Sequence, residues 1–200
     1  MNFSKLALYF QQLENTASRI EMTEILSEIF SNANARDIGS ICYLLLGRVA
    51  PRYESVEFGV ASKLMIRAIA EAYDTEMLVV EKAFRSSGDL GEAAFLVSKI
   101  QNITSKQDVS IQFVFEALQE ITQASGTGSQ EVKISKIAEL ISHVDELSAK
   151  YIVRIPLEKM RLGFSDMTIL DGLSWMLVGD KSLRTQLEIA YNARPDIGYI

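Results

Sequence analysis

Three short polar turns hold the residue types most able to do chemistry in this chain. They are Asn15-Thr16-Ala17-Ser18-Arg19, Ala124-Ser125-Gly126-Thr127-Gly128-Ser129-Gln130, and Arg154-Ile155-Pro156-Leu157-Glu158-Lys159-Met160-Arg161-Leu162-Gly163. Each combines small residues or cations with backbone amides expected at a helix start, where the amides and the positive end of the helix dipole suit phosphate oxygens. The third turn is also the most basic. Residues 150–161 carry Lys150, Arg154, Lys159 and Arg161 against Glu158 alone, a local charge of +3.

Groups for covalent or metal chemistry are scarce. His143 is the single histidine and Cys42 the single cysteine in 200 residues. One histidine cannot build a histidine metal site or a Ser-His-Asp relay; near a helix end, it reads as a surface residue. One cysteine, within Ile41-Cys42-Tyr43-Leu44-Leu45, excludes an internal disulfide framework and reads as a small core residue. Trp175 and the Phe and Met residues at helical spacing read as core rather than cofactor contacts. No Gly-x-x-x-x-Gly-Lys-Ser/Thr loop occurs. Most carboxylates fall on helix faces, where solvation accounts for them.

The elements that must hold these turns read as helices. Leu6, Tyr9, Phe10 and Leu13 recur at three- and four-residue steps, as do Met22, Ile25, Leu26 and Ile29. Ser18 with Glu21, and Asp89 with Glu92, have capping-box spacing. Pro51 closes the helix before it. The pattern predicts helices near 3–14, 19–31, 36–47, 60–73, 75–86, 90–99, 110–124, 130–142, 145–154, 166–179 and 182–193. Only three prolines occur, and the one Asn-Gly or Asp-Gly pair, Asp171-Gly172, lies inside a helical pattern, so hairpins are not expected. The expected class is all-α, with no fixed-period repeat.

Composition agrees with a folded chain: 48% hydrophobic and 23% charged residues, with a net charge of −6. Residues 1–149 sum to −7 and residues 150–200 to +1. An acidic body with one basic turn argues against broad nonspecific nucleic-acid binding and fits a local phosphate contact. No run approaches the roughly 18 apolar residues that would cross a bilayer, and no basic-then-apolar leader opens the chain. The expectation is an intracellular protein, cytoplasmic in a prokaryote or nuclear in a eukaryote. The Pro/Gly stretch after Ala193 reads as the cut end of a domain from a longer chain.

The segment Ala149-Lys150-Tyr151-Ile152-Val153-Arg154-Ile155-Pro156-Leu157-Glu158-Lys159-Met160-Arg161-Leu162-Gly163-Phe164-Ser165-Asp166 resembles the signature near the end of the N-terminal DNA-binding domain of ATP-dependent DNA ligases, the archaeal and eukaryotic replicative branches above all. Thr16 to Met22, Gly126 to Gln130 followed by Lys133, and Ser87-Gly88-Asp89-Leu90-Gly91 agree in order and spacing. The resemblance covers essentially all 200 residues and makes them one domain. It implies an all-helical fold of approximate internal two-fold symmetry that grips the minor groove on both sides of a nick through its inter-helix turns. The DNA contacts it implies are Thr16, Ser18 and Arg19; Gly126, Thr127, Gly128, Ser129, Gln130 and Lys133; and Leu157, Glu158, Lys159, Met160, Arg161, Leu162 and Gly163.

The resemblance also implies a parent enzyme using ATP and Mg2+ on adenylation and OB-fold domains that these 200 residues lack. The adenylated lysine of a Lys-x-Asp-Gly motif has no counterpart: Lys106-Gln107-Asp108-Val109 lacks the glycine. No catalytic, cofactor or metal residue is expected here, and the chain alone should not seal a nick. Expected partners are nicked double-stranded DNA and the catalytic domains of the same parent, with a monomeric state and no membrane. The alternative is a non-catalytic helical scaffold that binds a partner helix in an exposed apolar groove.

Overall fold

The computed structural model describes residues 1–101 and 107–200. Among the described residues there are eleven α-helices and no strand: α1 Phe3–Asn15, α2 Arg19–Asn32, α3 Ile38–Leu45, α4 Ser62–Ala72, α5 Met77–Ser87, α6 Leu90–Gln101, α7 Ile111–Gln123, α8 Ser129–Ser142, α9 Glu146–Arg154, α10 Asp166–Val178 and α11 Arg184–Ala193. A 3-10 turn, Arg52–Glu54, follows α3. All eleven expected helices are present, each bound within two residues of its predicted place. Asp37 is drawn out of α3, because its amide donates to Asn34 Oδ1 at 2.9 Å in a turn.

Local chemistry explains several starts. Ser110 and Asp145 accept hydrogen bonds from amides in the first turns of α7 and α9, satisfying donors that a helix start leaves unpaired. Inside, the apolar stripes meet in one contiguous core. Phe10 of α1 packs edge-on against Tyr151 of α9, ring centroids 5.2 Å apart.

Three helix pairs organise the molecule: α2 on α10, α6 on α9, and α4 on α8. Gly91 permits the second. A Cβ there would lie 2.6 Å from the Lys150 carbonyl oxygen and 2.7 Å from Arg154 Cγ, so only glycine lets α6 approach α9 this closely.

Residues 194–200 pack back onto the body of the domain. Ile197 is buried, Tyr43 donates to Asp196, and Gly198 lies against Gly39 of α3. Trp175 is a correction: it is half-buried at the edge of α10 rather than in the core.

Candidate nucleic-acid interface

The first turn joins α1 to α2. Ser18 Oγ accepts from the Glu21 amide at 3.3 Å, half of the expected capping box. The return bond is relayed: the Ser18 amide donates to Thr16 Oγ1 at 3.1 Å, and Thr16 Oγ1 donates to Glu21 Oε2 at 2.5 Å. The Glu21 charge is thereby tied down at a helix start that favours anions. Arg19 is exposed, and among the described residues no carboxylate lies within ion-pair distance of it.

In the second turn, Gly126 and Gly128 hold φ of 81° and 83°, and Gly128 caps α8. Nothing lies within 4 Å of a Cβ built on either. The backbone is therefore open to close approach beside exposed Thr127 and Gln130 and half-exposed Ser129. Glu131, the acid of the first turn of α8, is held by both oxygens on Arg67 Nη2 at 2.9 and 2.8 Å. Lys133 is committed inward, donating to the Phe58 carbonyl at 2.6 Å.

The third turn departs from expectation. It is not a helix start but the C-terminal cap of α9; α10 begins only at Asp166. The Lys159 amide donates to the Arg154 carbonyl at 3.0 Å and the Glu158 amide to Ile155 at 2.9 Å, with Glu158 left-handed at φ 55°. These bonds form a Schellman cap, which uses amides expected to be free. The dipole here presents its negative end, so any attraction for phosphate must come from side chains.

Those side chains divide. Met160 and Leu162 are buried, so only their backbone reaches the surface; Leu157 is partly buried; Glu158, Lys159, Arg161 and Gly163 are exposed. Nor is the basic cluster a +3 surface. Lys150 and Arg154 are 6% and 2% exposed and serve an internal network. Glu14 Oε2 accepts a hydrogen bond from Tyr151 Oη at 2.8 Å and pairs with Arg154 Nη1 at 2.9 Å and Lys150 Nζ at 3.1 Å. Burial pushes the Glu14 carboxyl up, but the bonds from Arg154, Tyr151 and Lys150 outweigh it and hold it down at about 2. Lys159 has no carboxylate within ion-pair distance among the described residues, and Arg161 pairs with Asp89. Local charge counting found the cations but not their partners.

The fold brings the first and third turns together. Thr16, Ala17 and Arg19 line one hollow of about 350 Å³ with Arg161, Leu162 and Gly163. On its other side the third turn meets Gly88, Asp89 and Ser62, the first residue of α4, across a crevice that Lys159 and Arg161 also line. Lys133 ties α8 to Phe58, just before α4. Ser62 and Asp89 were not among the residues implied as contacts, because nothing local in the sequence places them beside the third turn.

Elsewhere the chemistry is sparse. His143 is exposed, its Nδ1 2.8 Å from the Glu139 carbonyl. Burial pushes the Cys42 thiol up to about 12. Among the described residues no three His, Cys, Asp or Glu side chains converge as a metal site, and no helix is long and apolar enough to cross a membrane. Asp108 of the incomplete Lys-x-Asp string is engaged by Asn2 Nδ2 and Ser4 Oγ at 2.6 Å each, while Lys106 lies outside the described residues. These groups do not fit an ATP or magnesium site.

The family model described as DNA ligase N terminus matches residues 2–174. The chain belongs to this DNA ligase family. A probable DNA ligase of Dictyoglomus thermophilum is 42% identical over 200 residues, covering all of this chain and 34% of that protein. The DNA ligase of Nitrosopumilus maritimus is 38% identical over 202 residues and a probable DNA ligase of Aquifex aeolicus 36% over 200, each again with 34% of its length covered. The chain thus spans about a third of the length of the curated relatives it matches.

Proposed function

We propose that residues 1–200 form the DNA-binding domain of an ATP-dependent DNA ligase and grip nicked duplex through backbone phosphates and the minor groove. The observation that carries this reading is the shared hollow between the first and third turns, where Arg19 and Arg161 stand beside exposed backbone at Gly163. Two helix starts, of α2 and α8, add exposed amides and positive dipole ends suited to phosphate. Phosphate contacts position a protein without reading sequence, which suits an enzyme that must act at any nick. ATP and Mg2+ belong to the adenylating part of the parent, in the two-thirds of the relatives' length that this chain does not span. Its partners are nicked duplex and that catalytic part, the domain acting as a monomer.

The test is fluorescence anisotropy of a labelled nicked duplex, titrated with salt, for wild type and Lys159→Ala/Arg161→Ala. Salt-sensitive binding that the double change weakens supports the reading. A folded protein that does not bind even at low salt contradicts it, and favours a scaffold using the 450 Å³ groove between α7 and α8, where Phe113 is exposed.

A further inference from the structure

The Gly88-Asp89-Leu90-Gly91 turn supplies no contact in the interface proposed above, yet it holds one of that interface's cations. Asp89 is 4% exposed. Its Oδ1 caps α6 by accepting from the Glu92 amide at 2.8 Å and also takes Arg154 Nε at 3.0 Å. Its Oδ2 faces Arg161 Nε at 3.2 Å, while the Gly88 carbonyl accepts from Arg161 Nη2 at 3.1 Å. The fork of Arg161 is thus held along one edge. Nη1 has no partner among the described residues, on a side chain that is 51% exposed and lines the hollow with Thr16 and Arg19.

Two further features make this more than a surface ion pair. Arg161 has a backbone φ of 58°, a left-handed conformation that a non-glycine residue keeps only when its surroundings impose it. The local charges also cancel. Lys150, Arg154 and Arg161 face Glu14, Asp89 and Glu92, so the network adds no net positive potential to the face. What it supplies is orientation, at an anion-favouring helix start that the fold has filled with its own carboxylate.

We propose that Asp89 is a positioning residue for DNA binding: together with the Gly88 carbonyl it fixes the Arg161 guanidinium so that the uncommitted edge meets a backbone phosphate. The inference rests on the DNA-binding reading. Guanidinium suits the task because its donors are fixed in one plane, so holding one edge aims the other. A lysine at 161 would carry the charge without the direction.

A double-mutant cycle tests it, using nicked-duplex anisotropy at low salt on Asp89→Asn, Arg161→Ala and the pair. Asp89→Asn weakens binding roughly 5- to 10-fold when Arg161 is present and leaves it unchanged when Arg161 is already alanine. Because Asp89 also holds Arg154, folding is followed by thermal melts. Arg161→Lys, which leaves the Asp89–Arg154 contact intact, provides an independent arm: it retains the salt slope but binds several-fold more weakly than wild type. NMR adds a readout without DNA: the guanidinium resonances of Arg161 are shifted in wild type relative to a free arginine and move toward the free values in Asp89→Asn.

Equal weakening by Asp89→Asn in both backgrounds, or wild-type affinity in Arg161→Lys, overturns the proposal while leaving DNA binding intact. A wild type that shows the shifted Arg161 resonances but does not bind nicked duplex overturns the DNA-binding reading, and this proposal with it.

Discussion

Glu14 and Lys159 are opposite uses of charge. Glu14 gathers three donors on one oxygen, and the carboxyl, held at about 2, releases its proton more readily folded than unfolded, where 4.5 is ordinary. Ionised Glu14 therefore stabilises the fold fully above about 4.5, and that contribution drains away as pH falls toward 2. Because Glu14 is partly exposed, solvent screening limits it to about 1–2 kcal/mol. Glu14→Gln should lower stability by that amount at pH 7 and by almost nothing near pH 2, so chemical-denaturation curves of the two proteins converge in acid. A constant difference across the range would remove Glu14 from the acid transition. Lys159 is exposed without an ion-pair partner among the described residues. Lys159→Ala should weaken nicked-duplex binding alike across sequences and reduce the salt slope by about one, with melting unchanged. An unchanged slope would take Lys159 out of the contact set.

At the scale of elements, the turns depend on how closely helices approach. Gly91 sits where α6 crosses α9, and an alanine Cβ would meet backbone oxygen 2.6 Å away. Gly91→Ala should cost about 1–3 kcal/mol by forcing the helices apart, seen as a lower Tm, and should also weaken DNA binding because Asp89 moves with α6. Gly163→Val acts differently. Its nearest neighbour would be Met22 Cε at an ordinary 3.8 Å, but φ is 74°, so about 1–2 kcal/mol of backbone strain is expected rather than a clash; a Tm equal to wild type would show that the turn relaxes freely. The sequence allowed the helices to be read because apolar stripes and caps such as Ser18 are local signals. It did not reveal that the third turn caps α9, since that depends on Glu158 adopting a left-handed conformation no local residue type demands. Nor did it show that Lys150 and Arg154 are buried: their partners Glu14, Asp89 and Glu92 lie more than 55 residues away, joined only by packing.

For the whole molecule, the net charge is −6 and two of the four local cations of the third turn, Lys150 and Arg154, are buried, so the proposed DNA-binding face rests on few exposed cations. With Arg19, Lys159 and Arg161 as its exposed cations, a log–log salt slope of about −3 is expected, shallow for a DNA-binding protein. A slope near −8 would require a much wider cationic footprint than this surface offers. The central claim is that three turns far apart in the chain act as one DNA-binding face. Amide hydrogen exchange with and without nicked duplex, at low salt, tests it most directly. The account predicts added protection at 16–19, 126–130 and 157–163 together, with the packed end at 194–200 and the α7–α8 groove unchanged. Saturating DNA that leaves those three turns unprotected, or protects only the groove around Phe113, would contradict it.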